Sequence, residues 1–188
     1  MGLADWFNRW RHTKGYGVHS PLAFRIVKHV MKPRRDVVYY GEEQLQASAP
    51  GNHGEAGDCR NLRRARILLR LVAELQPSYV WVSPGIPDIY KEAVMLAGCV
   101  IRIYDGELFP DEVAKADMIV LYDYNLRKPV WRKIMAPGKS VVAFNVKPGI
   151  PEWIREIMKG GVLLEGKESI LAVNTRDEAV HCYNISKF

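Results

Sequence analysis

Two spacings of apolar residues alternate along the chain from residue 79 onward. Short, uninterrupted apolar runs predict strands, and segments with apolar residues three and four positions apart predict helices. A run is followed by a helical segment four times, and three further runs complete the pattern. The predicted strands cover 79–82, 100–104, 118–122, 141–144, 162–164, 170–173 and 180–185, and the predicted helices cover 88–97, 110–115, 130–135 and 150–158.

This order of elements predicts the fold class. Strands that are apolar throughout are buried on both faces, and their alternation with helices is typical of a parallel sheet between two helical layers. The last two runs flank the polar residues 174–178 and are expected to pair as an antiparallel hairpin. We therefore predict an α/β fold: a Rossmann-like, doubly wound, mostly parallel sheet with a closing antiparallel strand pair, preceded by N-terminal helices.

The residues before the sheet divide into three predicted regions. Residues 1–40 form an N-terminal helical extension, which we expect to act as a lid. Residues 41–58 are polar, rich in glycine and alanine and without periodicity, and are predicted to be a flexible loop. Residues 59–188 form the Rossmann-like domain, which begins with a strong helical pattern from Asn61 to Leu75.

Two helical starts lie within the N-terminal extension. The first helix has an apolar face with the spacing i, i+3, i+4 and i+7, made by Leu3, Trp6, Phe7 and Trp10. Such a face suits docking on the domain, and it also suits an interfacial membrane helix. A second helix is expected to begin at Ser20 and Pro21, because serine is a common N-cap and proline a common first helical residue.

Composition excludes several classes of protein. With 48% hydrophobic and 26% charged residues in 188, the chain has the profile of one globular domain. No apolar run approaches the roughly 18–20 residues of a membrane span, and no signal peptide is recognisable at the N-terminus. The three cysteines are far apart and form no CxxC pair, so we expect a reducing, cytoplasmic setting.

The net charge of +6 is concentrated in one region. Residues 1–75 hold 13 basic and 7 acidic residues, and the remaining chain holds 14 of each. A basic region of this kind attracts nucleic acid or an anionic membrane surface. Solvated helix faces explain it equally well.

Candidate site residues lie where the predicted strands end. In a doubly wound sheet, ligands bind beyond the carboxyl ends of the strands. Ser83 and Gly85 follow the first strand, Asp105 ends the second and Asp123 follows the third. A nucleotide site needs a glycine turn for close backbone approach and an acidic residue on the next strand for the ribose hydroxyls. Asp105 lies 20 positions after Gly85, which suits that second role.

The segment GYGVHSPLAF, residues 15–24, resembles an N-terminal signature of a known family. The signature, G-x-G-V-H-S-P-F, is that of a bacterial group of class I S-adenosylmethionine-dependent methyltransferases, whose order of core elements is similar as well. The resemblance implies that S-adenosylmethionine is the cofactor. It also implies that Gly85 approaches the methionine part of the cofactor, that Asp105 holds its ribose and that Asp123 faces the reacting end.

Three departures from the family pattern predict a degenerate cofactor site. The turn after the first strand, residues 82–87, has one glycine between two prolines, and each proline removes an N–H group. Only 11 residues separate Asp105 from Asp117, too few for a helix, a strand and a second helix, so one edge strand is expected to be missing. Residues 145–147, Asn-Val-Lys, stand where the family carries acidic residues.

The resulting functional hypothesis is an S-adenosylmethionine-dependent methyltransferase-like protein, either a weak enzyme or a non-catalytic descendant. The alternative is a non-catalytic binding protein that uses its basic N-terminal region on nucleic acid, an anionic membrane surface or a partner protein.

Other candidate sites are weaker. His53, Asp58 and Cys59 lack a recognised ligand spacing, so no metal is expected. His19 is a candidate general base only if the N-terminal segment folds over the strand ends. The arginines at positions 60, 63, 64 and 66 are candidates for phosphate contacts, and a solvated helix start explains them equally well.

Overall fold

The structure is a computed structural model that describes most of the chain. Described are residues 10–12, 14, 18–31, 39–48, 56–97, 102–105, 110–123, 131, 132, 134–146, 152–158, 160–175 and 179–185. The helices are α1 (Pro21–Arg25), which continues as a π-helical segment π1 (Ile26–Met31), α2 (Glu42–Ser48), α3 (Ala56–Leu75), α4 (Asp88–Leu96), α5 (Pro110–Lys115) and α6 (Glu152–Ile157). The strands are β1 (Tyr79–Val82), β2 (Arg102–Asp105), β3 (Met118–Tyr122), β4 (Ser140–Phe144), β5 (Gly161–Glu165), β6 (Ser169–Asn174) and β7 (Val180–Asn184).

Within the described ranges, seven strands form one sheet in the order β2-β1-β3-β4-β6-β5-β7. The pairs β1–β2, β1–β3, β3–β4 and β5–β7 are parallel, and β6 is antiparallel to both of its neighbours. The first two strands lie on one side of the chain reversal and β3 and β4 on the other, as in a doubly wound sheet. The predicted fold class, a Rossmann-like and mostly parallel sheet that closes with antiparallel strands, is confirmed.

Helices cover both faces of the sheet. Alternate residues of each strand point to opposite faces, so Val80 and Val82 join one core cluster and Trp81 joins the other. The first cluster includes residues of α1, π1, α2, α3 and α4, and the second includes residues of α5 and α6. Burial on both sides explains why the strands read as continuous apolar runs.

The pairing of the last strands differs from the prediction. β6 and β7 do not pair with each other; β5 and β6 form the antiparallel hairpin, and β7 adds to the outer side of β5 in parallel. The hairpin closes through a short turn in which the Gly166 N–H donates to the Ser169 carbonyl at 2.8 Å. A turn this short favours pairing of the strands that it joins.

The predicted loop over residues 41–58 contains helical residues. Glu42–Ser48 is the helix α2, and α3 begins at Ala56 rather than at Asn61. Leu45 anchors α2 because its side chain is fully buried, and Glu42 forms two bonds of 2.7 and 2.9 Å with the Arg70 guanidinium. The sequence did not indicate α2, because one apolar residue in a short helix produces no periodicity.

The N-terminal helices belong to the same core as the sheet. Ala23, Ile26, Val27 and Val30 are fully buried and join the first core cluster. The apolar face predicted from Leu3 to Phe7 lies outside the described residues, as does the glycine pair 15 and 17. None of the described helices is both long enough and apolar enough to cross a membrane.

Candidate functional site

The carboxyl ends of β1, β2 and β3 bring the four predicted cofactor residues to one edge of the sheet. Val82, the last residue of β1, lies in register with Asp105 on one side and Val120 on the other. Ser83 and Gly85 therefore follow β1 directly beside the end of β2. Asp123 follows β3 on the other side. Their role in binding stays a prediction.

The segment after β1 forms a tight turn. The Ile86 N–H points to the Ser83 carbonyl at 3.4 Å, and Gly85 has a φ of +73°. Proline followed by a residue of positive φ is the sequence of a type II β-turn, so Pro84 and Gly85 occupy its two central positions. Gly85 is exposed, and a Cβ atom added to it would meet nothing within 4 Å. Open space therefore lies over the backbone at this point.

Ser83 has a structural role that the sequence did not indicate. Its side chain is fully buried, and its Oγ accepts a hydrogen bond of 3.0 Å from the Tyr122 N–H. Its own N–H donates to the Val120 carbonyl at 2.9 Å. These two bonds tie the end of β1 to β3, so the Ser83 hydroxyl stabilises the sheet.

Asp123 and Asn145 end their strands in the same way. Both are exposed and have positive φ, +51° for Asp123 and +59° for Asn145. Aspartate and asparagine tolerate this left-handed region better than other residues with a Cβ. The Asp123 N–H donates to the Phe144 carbonyl at 3.0 Å, which fixes the backbone and leaves the carboxylate at the sheet edge.

A buried aromatic group lies below this edge. The Tyr90 ring on α4 packs against the rings of Tyr122 and Phe144, with centroid distances of 5.5 and 5.1 Å. The Tyr90 hydroxyl donates to Asn61 Oδ1 at 3.1 Å, and burial raises the pKa of Tyr90 well above its ordinary value. Tyr90 therefore stays protonated and fills the space beneath the strand ends.

Two arginines of α3 bind Glu168, which lies in the β5–β6 turn. Arg64, only 8% exposed, donates to Glu168 Oε2 at 2.7 Å, and Arg60 donates to the same oxygen at 3.0 Å. The hydrogen bond from Arg64 lowers the pKa of Glu168. Two of the four arginines considered for phosphate contacts are thus engaged within the protein. Their spacing of four positions on one helix was the signal for a shared partner.

The residues His19, Ser20 and Pro21, here called the HSP segment, lie far from the predicted cofactor edge. The backbone N–H groups of His19 and Ser20 both donate to the Tyr183 hydroxyl, at 3.0 and 3.2 Å. Tyr183 is on β7, and the sheet order places three strands between β7 and β3 and four strands between β7 and β1. Ser20 Oγ also accepts from the Ala23 N–H at 3.3 Å, so Ser20 is the N-cap of α1, as predicted. Closure of the N-terminal region over the ends of β1 and β2 stays a prediction.

The structure describes only part of the candidate metal set. His53 lies outside the described residues, and the Cys59 thiol is free and exposed. Within the part of the chain that the structure describes, no three His, Cys, Asp or Glu side chains are grouped as metal ligands would be. A cavity of about 440 Å³ lies at the amino end of β4 and includes Arg132, Glu156 and Asn174 in its wall. It is at the opposite edge of the sheet from Gly85.

Comparison with known proteins gives a likeness in fold. No protein-family model and no curated protein sequence matches the chain. Among solved structures, the chain is similar to an O-methyltransferase family protein from Burkholderia thailandensis, with 11% sequence identity and a TM-score of 0.38. The match covers 93% of this chain and 70% of that one. A likeness at this level does not extend to function, and the fold is assigned from the strand order.

Proposed function

We propose that the chain is a methyltransferase-type protein with a reduced cofactor site that binds S-adenosylmethionine at the edge formed by β1 and β2. The observation that carries the proposal is the position of Gly85 beside Asp105. The two residues follow or end neighbouring parallel strands that pair in register at Val82, and open space lies over Gly85.

The residues at this edge fit part of the cofactor. A glycine without atoms above it admits close approach of a ligand to the backbone, and an acidic residue on the next strand suits the ribose hydroxyls. The turn supplies fewer N–H donors than a glycine-rich loop, because Pro84 and Pro87 have none. In the described part of the sheet β2 is an edge strand, so no described strand lies beyond it to cover the adenine of a bound cofactor.

The chemistry of this proposal needs little from the protein. S-adenosylmethionine supplies an activated methyl group when it is bound. The protein contributes mainly the proximity and alignment of donor and acceptor, with the acceptor placed near Asp123 on the β3 side. Asp123 is exposed and held by its backbone, so its carboxylate is available to orient a polar acceptor.

The proposal is tested by calorimetric titration of two variants with S-adenosylmethionine and S-adenosylhomocysteine. Asp105→Asn removes the charge that would accept the ribose hydroxyls. Loss of hydrogen bonds to a charged group costs about 1.5–3 kcal/mol, so affinity should fall roughly 10- to 100-fold. Glu43→Gln is the control, because it removes one carboxylate charge from the exposed surface of α2.

Equal affinities for Asp105→Asn and the unaltered protein would contradict the assigned site. Absence of binding to the unaltered protein at millimolar ligand would contradict the proposed function itself. The alternative predicted from the sequence, binding through the basic N-terminal region, uses a different surface and is compatible with either result.

A further inference from the structure

The helix α1 and the segment π1 have one face buried and one face uncovered. The buried face packs on α3 and on the sheet through Ala23, Ile26, Val27 and Val30. The outward face carries Phe24, whose surface is 45% exposed, next to Arg25 and His29. An aromatic side chain exposed to this extent on a well-packed helix is a feature that the core does not require.

A second aromatic residue is exposed in the same region, and each of the two has a lysine beside its ring. Trp10 is 38% exposed, and Lys14 places its Nζ 3.9 Å from the Trp10 ring centroid. Lys28 places its Nζ 5.5 Å from the Phe24 ring centroid. In both pairs the lysine follows the aromatic residue by four positions, so the cation lies beside the ring on the same face of the chain.

Both pairs are anchored to the same residue of the sheet. The His12 ring contacts the Tyr183 ring edge to face at a centroid distance of 5.4 Å, two residues after Trp10. The Ser20 N–H donates to the Tyr183 hydroxyl, one helical turn before Phe24. Tyr183 therefore contacts both segments, the one that carries Trp10 and Lys14 and the one that carries Phe24 and Lys28, and brings them together at β7.

The charge of this region has a single sign. Residues 6–35 contain eight lysines and arginines and no aspartate or glutamate. Arg25 forms an ion pair with Glu74, which lies outside this segment; the distance from Arg25 Nε to Glu74 Oε1 is 2.5 Å. Lys14 and Lys28 contact aromatic rings, which do not neutralise their charge. An anionic partner is therefore attracted to the surface that carries Phe24 and Trp10.

We propose that this surface, made by Trp10, Lys14, Phe24 and Lys28 and here called the aromatic–lysine surface, binds anionic membranes. Aromatic residues that enter the headgroup region beside lysines are the chemistry of interfacial attachment. Phe24 and Lys28 lie on the outward face of α1 and π1. Proteins that bind single-stranded nucleic acid instead provide a basic groove with open stacking platforms. Here each ring already has a lysine of its own chain against it, which leaves less ring surface for a base.

Co-sedimentation of the full chain with vesicles tests this proposal. Phosphatidylcholine vesicles are compared with vesicles that also contain phosphatidylglycerol, at low and at physiological salt. Binding should require the anionic lipid and weaken as salt rises. Because each basic residue near an anionic surface contributes about fivefold in affinity, Lys28→Glu should weaken binding roughly 20-fold. Phe24→Ser should weaken it about five- to tenfold.

Two matched controls use exposed residues on other parts of the molecule. Lys167→Glu reverses a charge on the β5–β6 turn, and Met95→Ser removes an apolar side chain that is 62% exposed on α4. Both should bind vesicles like the unaltered chain, and thermal unfolding establishes that all four variants are folded.

Three results would overturn the proposal. The first is no difference between neutral and anionic vesicles. The second is equal weakening by the controls and by the variants of the aromatic–lysine surface. The third is tight binding of a single-stranded oligonucleotide that Lys28→Glu abolishes while vesicles do not bind, which would assign the surface to nucleic acid.

Discussion

Replacing Tyr183 with phenylalanine removes one oxygen atom on which the HSP segment depends. The hydroxyl accepts two backbone hydrogen bonds, from the N–H groups of His19 and Ser20. Tyr183 itself is only 7% exposed and Ser20 is 1% exposed, so water does not readily take the place of the lost oxygen. The change keeps the ring and its packing, which isolates the effect of the hydrogen bonds.

The expected cost follows from these two bonds. A buried donor left without an acceptor costs about 1–3 kcal/mol, and the Ser20 N–H is such a donor. The His19 N–H is only partly buried and adds less. We expect Tyr183→Phe to lower the free energy of unfolding by about 2 kcal/mol. For a chain of this length that corresponds to a fall in Tm of roughly 4–8 °C.

Urea and thermal unfolding measure this change, and Tyr40→Phe is the matched control. Tyr40 is 76% exposed, and the same loss of a hydroxyl there should change the free energy of unfolding by less than about 0.5 kcal/mol. Equal stability of Tyr183→Phe and the unaltered protein would refute the reasoning. It would mean that the HSP segment is not held by β7.

Two further predictions concern backbone space and pH. Gly161→Ala should destabilise the fold by several kcal/mol, since φ is +105° and a Cβ would lie 2.0 Å from the Val173 carbonyl oxygen. Gly85→Ala has open space around the added Cβ and should lower the free energy of unfolding by only about 1–2 kcal/mol. Urea unfolding compares the two variants. Burial lowers the pKa of His12 below 6.5, so its neutral form is favoured in the folded state and stability is lost as pH falls through the window below 6.5. His12→Gln should flatten the pH dependence of unfolding in that window, and an unchanged slope would contradict the assignment.

The sheet was predictable because burial on both faces leaves a strong mark on sequence. Val141, Val142 and Ala143 are apolar in succession since each lies in one of the two core clusters. The positions of Gly85 and Asp105 followed from the same reasoning, because parallel strands end at one edge. The position of a residue at a strand end was predictable because the sheet topology determines it. The contacts that its side chain makes were not.

The errors came from contacts between distant parts of the chain. The bond from the Tyr122 N–H to Ser83 Oγ joins residues 39 positions apart, and no local pattern indicates it. The same holds for Tyr183 and the HSP segment, which are separated by more than 160 positions. The hairpin of β5 and β6 was missed for another reason: three apolar runs follow one another, and only the shorter turn distinguishes the pair.

The proposed function requires that a ligand bind at the edge where Gly85 and Asp105 meet. Heteronuclear NMR of the labelled full chain, titrated with S-adenosylhomocysteine, tests it most directly. We expect saturable shifts of the Gly85 and Asp105 backbone amides at micromolar to submillimolar ligand, with the amide of Asn174 at the opposite edge unchanged. No shift at millimolar ligand, or shifts confined to the cavity that includes Asn174, would contradict it.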